Sequence, residues 1–170
     1  MSSLKRLVIA VFAAIGLTAV PALAQNTITD FVAQSGGEFD SNPYDYDFLL
    51  NAVIAADLAG ALADPNADLT VFAPNDFAFM RLASDLGWDG NGGEKGAWNA
   101  IVGVLTELGG GDPIPVLTTI LTYHVAPESL TFIDVIILSF FGETITTLQG
   151  GEITPRWRYL ESYRARDDLP

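Results

Sequence analysis

The sequence predicts an α+β domain, on three observations. Apolar residues recur at helical spacing through Phe48, Leu49, Val53, Ile54, Leu58 and Leu62, and again through Trp98, Ile101, Val102, Leu105 and Leu108. A compact run of strand formers, LTVFAP (69–74), stops on a proline. Two short runs, ETITTL and GEITP, flank Gln149-Gly150-Gly151 and read as a hairpin.

The chain has 170 residues, which suits one domain. It opens like a secretory leader. Lys5 and Arg6 precede an apolar run, and Ala22-Leu23-Ala24 is a small-residue cleavage site, so residues 1–24 are expected to be removed. No later stretch is long enough to span a bilayer, so no membrane span is expected after cleavage. There is no cysteine and hence no disulfide. The formal charge is −13, and loss of Lys5 and Arg6 takes it to −15. Between Gln25 and Pro155 the only basic residues are Arg81 and Lys95. So acidic a surface repels phosphate backbones, which excludes nucleic acid as a partner class.

Along the chain, residues 26–34 form a short helix capped by Thr27 or Thr29. GGEFDSNPYDYD (36–47) is a loop rich in turn formers, and one helix follows over 46–62, ended by Asp64-Pro65. After the LTVFAP strand, Asn75 caps a new helix, Asp76 adds negative charge to its first turn, and Gly87 closes it. Phe79 is placed to staple onto Pro74. WDGNGGEKGA (88–97) reads as a loop before the helix that starts at Trp98, and GGGDP ends that helix. Pro113 opens the next helix. TYHVAP (122–127) reads as an extended strand, which would put Tyr123 and His124 on opposite faces. LTFIDVIILSFFG (130–142) fits a short helix or a buried strand.

Candidate chemistry is sparse. His124 is the only histidine, and neither a G-x-S-x-G elbow nor a phosphate-binding loop occurs. A half-buried, hydrogen-bonded histidine is therefore a better reading than a catalytic one. One His and no Cys argue against zinc. Asp89, Asn91 and Glu94 form a candidate calcium loop that lacks the EF-hand pattern, and DPNAD (64–68) is similar in character. Solvated turns are the plainer reading of both. Trp88 and Trp98 could stack on a sugar, although helix-facing tryptophans more often pack in a core.

DLTVFAPNDFAF (68–79) and LTYHVAPESL (121–130) resemble two ordered motifs of the fasciclin-like (FAS1) domain family, and the loop and helix from LGWDG to LGGGDPIP (86–115) look like a bacterial branch of it. Thr70, Phe72, Ala73, Pro74, Asn75, Asp76 and Phe79 carry the first motif, and Tyr123 and His124 the second. TTLQGGEIT (146–154) is similar to the family's next hairpin, so the likeness covers about residues 28–154. It implies a β-wedge or sandwich with several helices packed beside it. It also implies a second conserved block after Thr154, which RWRYLESYRARDDLP (156–170) does not match. That tail holds four of the eight basic residues and looks like the product of a shifted reading frame or a truncated gene. The expected organisation is a leader (1–24), a fasciclin-like domain without its C-terminal strands (25–155) and a non-family basic tail (156–170). Missing ladder partners imply reduced stability or aggregation.

The resemblance implies a secreted, periplasmic or cell-surface adhesion module, extracellular-matrix-like in role. Such a module binds protein or polysaccharide partners without catalysis or cofactor. Under the same likeness Asn75, Asp76 and Phe72 serve cap, turn and core, and Tyr123 and His124 are a structural signature with a second role at a partner surface. The alternatives are a calcium- or sugar-dependent secreted protein with hydrolytic activity, or a truncated product without function.

Overall fold

A computed structural model describes residues 27–156, so the leader and the tail beyond Arg156 lie outside the described residues. The elements are α1 (Ile28–Ala33), α2 (Asp47–Ala55), α3 (Ala59–Leu62), β1 (Thr70–Val71), α4 (Asp76–Asp85), α5 (Gly93–Leu108), α6 (Ile114–Tyr123), β2 (Val125–Ala126), α7 (Phe132–Phe141), β3 (Ile145–Thr146) and β4 (Glu152–Ile153). Among the described residues the expected mix of helix and strand is present as seven helices and two small antiparallel sheets. β1 pairs with β2 (Thr70 opposite Ala126, Val71 opposite Val125), and β3 pairs with β4 (Ile145 opposite Ile153, Thr146 opposite Glu152). The second pair is the hairpin read around Gln149-Gly150-Gly151.

Local signals explain most boundaries. Thr27 caps α1 in a capping box with Asp30, and Asn75 caps α4 by accepting from the Ala78 N–H. Gly87, at φ 97°, follows α4, and the Trp88 N–H reaches back to the Ala83 carbonyl while the Gly87 N–H reaches Ser84. These are the two bonds of a Schellman close. Thr131 and Asp134 form a second capping box on α7, which resolves the ambiguous 130–142 stretch as a helix.

Three expectations need correction. The single helix over 46–62 is two, because Asp57 takes a left-handed conformation (φ 55°). Its N–H bonds the Ile54 carbonyl and the Leu58 N–H bonds Val53, so α2 closes as α4 does, with Asp in glycine's usual place. Helix α5 starts at Gly93 inside the predicted loop, where burial of Glu94 and Ala97 outweighs the low helix propensity of glycine. TYHVAP is not a strand through Tyr123 and His124. Tyr123 ends α6 and His124 is its C-cap, because Leu117 and Leu121 continue a buried helical stripe that only Val125 leaves.

The core lies among α1 to α6. Phe48, fully buried, is its centre: Phe79 stacks on it at 5.3 Å, Phe39 meets it edge-on at 5.3 Å, and Trp98 lies 6.1 Å away. Phe79 thus packs against Phe48 in the way a core residue does, and Trp98 is a core residue as well. Trp88 packs against the same core and donates its indole N–H to the Asn91 carbonyl at 2.9 Å.

Candidate functional site

The Tyr123–His124 pair forms a corner that ties four elements together. Tyr123 donates its hydroxyl to the Glu152 carbonyl on β4 at 3.0 Å. His124 Nδ1 lies 2.8 Å from the Ile120 carbonyl, which can only accept, so Nδ1 carries the proton. The His124 carbonyl accepts from the Phe72 N–H next to β1, and the Val125 carbonyl accepts from Leu148. Gly151 sits so close to the Tyr123 ring that a Cβ there would come within 2.8 Å of it. His124 borders a small cavity of about 60 Å³ lined mostly by apolar residues, Leu49, Val53, Leu62 and Leu121 among them. Its surroundings are those of a structural brace.

The first motif also occupies structural posts. The Thr70 hydroxyl donates to the Glu128 carbonyl and accepts from the Leu130 N–H, both at 2.7 Å, so it locks the 128–130 turn onto β1. Asn75 is the α4 cap, and Ala73 packs against the core. Phe72 and Pro74 are both half-buried where β1 leads into that cap.

The candidate calcium loop does not hold together as one group. Asp89 and Asn91 are exposed and bond each other, Asn91 donating from its backbone at 2.9 Å and its side-chain amide at 2.7 Å. Glu94, 4% exposed, turns inward instead and joins Asp40 and Asp47. In DPNAD, Asn66 bonds Asp64 in a comparable exposed turn.

The larger acidic feature went unread in the sequence. Oxygens of Asp40, Asp47 and Glu94 lie within 4.8 Å of one another, as do oxygens of Asp45, Asp47 and Asp76, so Asp47 joins two triads. Loop 36–47 supplies three of the five groups, and the starts of α4 and α5 supply the others. The loop is pinned where it matters. The Asp76 N–H donates to the Asp45 carbonyl at 3.0 Å, the Phe77 N–H to Pro43 at 2.8 Å, and the Tyr46 N–H to Ser35 Oγ at 2.9 Å. In return Asp76 Oδ1 accepts from the Phe48 N–H at 3.1 Å and so caps α2 from outside that helix. One available signal was the spacing of Asp40, Asn42, Asp45 and Asp47, which puts four oxygen-bearing side chains in one short loop.

Asp47 and Asp76 are fully buried. Burial pushes the Asp76 carboxyl up to about 7, helped by the neighbouring Asp45 carboxyl and by the charge of Glu94, and opposed by the Phe48 N–H. Burial likewise raises Asp47, against the pull of the Gly37 N–H, with Asp45, Asp40 and Glu38 adding to the rise. Burial raises Glu94 too, against the Asp40 backbone bond, with Asp40, Asp45 and Asp47 contributing. Every side-chain charge acting on the three is negative. Such a cluster can hold protons or bind a hard cation through oxygen.

A third feature is α7, none of whose residues is buried. Phe132 (72% exposed), Ile133, Ile137, Phe140 (72%) and Phe141 (77%) form an apolar stripe at helical spacing. Among the described residues no helix is long and apolar enough to cross a membrane. In comparisons with known proteins, no family model, no curated protein and no solved structure matches this chain.

Proposed function

We propose that this chain is a non-catalytic binding module of the fasciclin-like type. It is exported to the periplasm, the cell surface or the medium, and engages a protein or polysaccharide partner. The observation that carries the reading is the exposed apolar stripe of α7, since contiguous apolar surface of this kind marks interaction sites. Two further facts support it. The motif residues that prompted the fasciclin-like likeness serve as caps, turns and braces. The only histidine commits Nδ1 to a backbone carbonyl rather than to a nucleophile.

The test is adhesion of protein-coated beads to the cells that make the protein, using the wild type and a Phe132→Ser/Phe140→Ser/Phe141→Ser variant. These side chains are exposed, so the variant keeps its thermal midpoint, and adhesion falls at least tenfold. Adhesion that survives the triple substitution, or beads that never adhere, would count against the reading.

A further inference from the structure

Four carboxylate oxygens in the acidic cluster are buried with no hydrogen-bond partner: Asp45 Oδ1, Asp47 Oδ2, Asp76 Oδ2 and Glu94 Oε2. Three of their side chains are more than nine-tenths buried. Native proteins rarely leave buried polar atoms in this state, so each needs an explanation.

The pattern within the cluster supplies one. Asp47 accepts from the Gly37 N–H through Oδ1 (2.9 Å) and leaves Oδ2 free. Asp76 accepts from the Phe48 N–H through Oδ1 and leaves Oδ2 free. Asp45 accepts from the Asn42 side-chain amide through Oδ2 (3.1 Å) and leaves Oδ1 free. In all three, one oxygen is held by a fixed donor and the other is left to a missing partner. That is how ligating carboxylates are oriented by their outer hydrogen bonds. A single proton shared between Asp45 and Asp76 would satisfy two of the four oxygens and leave Asp47 and Glu94 unanswered.

We propose that the cluster is a divalent-cation site of calcium type, formed by Asp45, Asp47 and Asp76, with Asp40 and Glu94 grouped beside it through Asp47. The donors are all oxygen, the chain has no cysteine, and its one histidine lies at the α6 corner, so soft and borderline metals have no ligands here. Calcium accepts six to eight oxygens in flexible geometry, which fits carboxylates drawn from a loop and two helix starts. Magnesium demands a near-octahedral set and retains waters. A bound ion ties loop 36–47 to α4 and α5, so it braces the fold around Phe48. The site is independent of the α7 stripe, and either proposal can fail alone.

The experiment uses the full chain stripped of metal, melted with calcium chloride, with magnesium chloride, or with sodium chloride at matched ionic strength. A hundredfold excess of calcium over its dissociation constant raises the midpoint by roughly 8 °C. Sodium gives a small screening effect only. In Asp45→Asn/Asp47→Asn the oxygens that accept from Gly37 and Asn42 have isosteric replacements. This variant melts at or above the metal-free wild type and loses the calcium increment. Equilibrium dialysis of the wild type finds about one calcium per chain, bound below about 1 mM. No bound calcium, or an equal increment in the variant, overturns the site. An equal response to magnesium overturns its assignment to calcium.

Discussion

Replacing Asp76 by Asn turns the acidic cluster into a measurable pH dependence. In the metal-free protein the Asp76 carboxyl rises from an ordinary 3.8 to about 7. Unscreened, that rise is worth about 4 kcal/mol of folding free energy. Solvent reaching the rim of the cluster through Asp40, which is exposed, cuts this to about 2 kcal/mol. Below pH 3.8 both folded and unfolded chains hold the proton, and the group contributes nothing. Between pH 3.8 and 7 only the folded chain holds it, so stability falls as pH rises, and above 7 the penalty is complete. Asp45, Glu94, Asp47 and Asp40 all face this region, and none of them offsets the charge. In Asp76→Asn the acceptor for the Phe48 N–H is kept, and an uncharged amide of nearly the same size takes the place of the carboxyl. Urea unfolding in EDTA at pH 4 and pH 8 reads the difference. The variant matches the wild type at pH 4 and exceeds it by about 2 kcal/mol at pH 8, roughly a 1 M shift in midpoint. An advantage of the same size at both pH values, or a less stable variant at pH 8, would refute the electrostatic reasoning.

Other predictions follow from the packing. Phe48→Ala removes the ring against which Phe39, Phe79 and Trp98 pack, so it lowers stability by about 3–5 kcal/mol in urea titrations. Asp57→Gly relieves a left-handed non-glycine residue at the α2 terminus and raises stability by up to about 1 kcal/mol; a loss on thermal melting would mean that the Asp side chain has a role of its own. Tyr123→Phe gives up the bond to the Glu152 carbonyl and costs about 1 kcal/mol. Gly151→Ala drives a methyl group into the same ring, so faster hydrogen exchange at Thr147 and Leu148 should report a loosened hairpin.

Much of the fold was legible because its boundaries are written in local chemistry. Thr27, Asn75 and Pro113 each stand where a helix begins, and Gly87 and the Gln149-Gly150-Gly151 turn stand where a segment must reverse. The misreadings occur where tertiary packing overrides a local signal. Asp57 breaks a continuous helical pattern by taking a glycine-like conformation, which its side chain does not announce. Gly93 and Gly96 lie inside a helix held by the burial of Glu94, Ala97 and Ile101. The β-branched and aromatic residues of TYHV suggested a strand, yet the stripe through Leu117 and Leu121 keeps Tyr123 helical.

The acidic site shows the same limit more sharply. Sequence proximity groups Glu94 with Asp89 and Asn91, whereas the fold turns it inward to loop 36–47. Asp76 sits where a helix-capping charge is expected, and only the arrival of α2 and the loop makes it a buried carboxyl. Periodicity and caps specify elements, but convergence of side chains from three separate segments depends on how those elements pack.

That the Asp45, Asp47 and Asp76 carboxylates converge on one cation is tested most directly by a crystal structure of the full chain grown with calcium at millimolar concentration. The prediction is an ion bonded to Asp45, Asp47 and Asp76 at about 2.3–2.6 Å, with Glu94 or Asp40 completing its shell. A cluster without an ion under those conditions, with Asp45 and Asp76 sharing a proton across a short hydrogen bond, would contradict it.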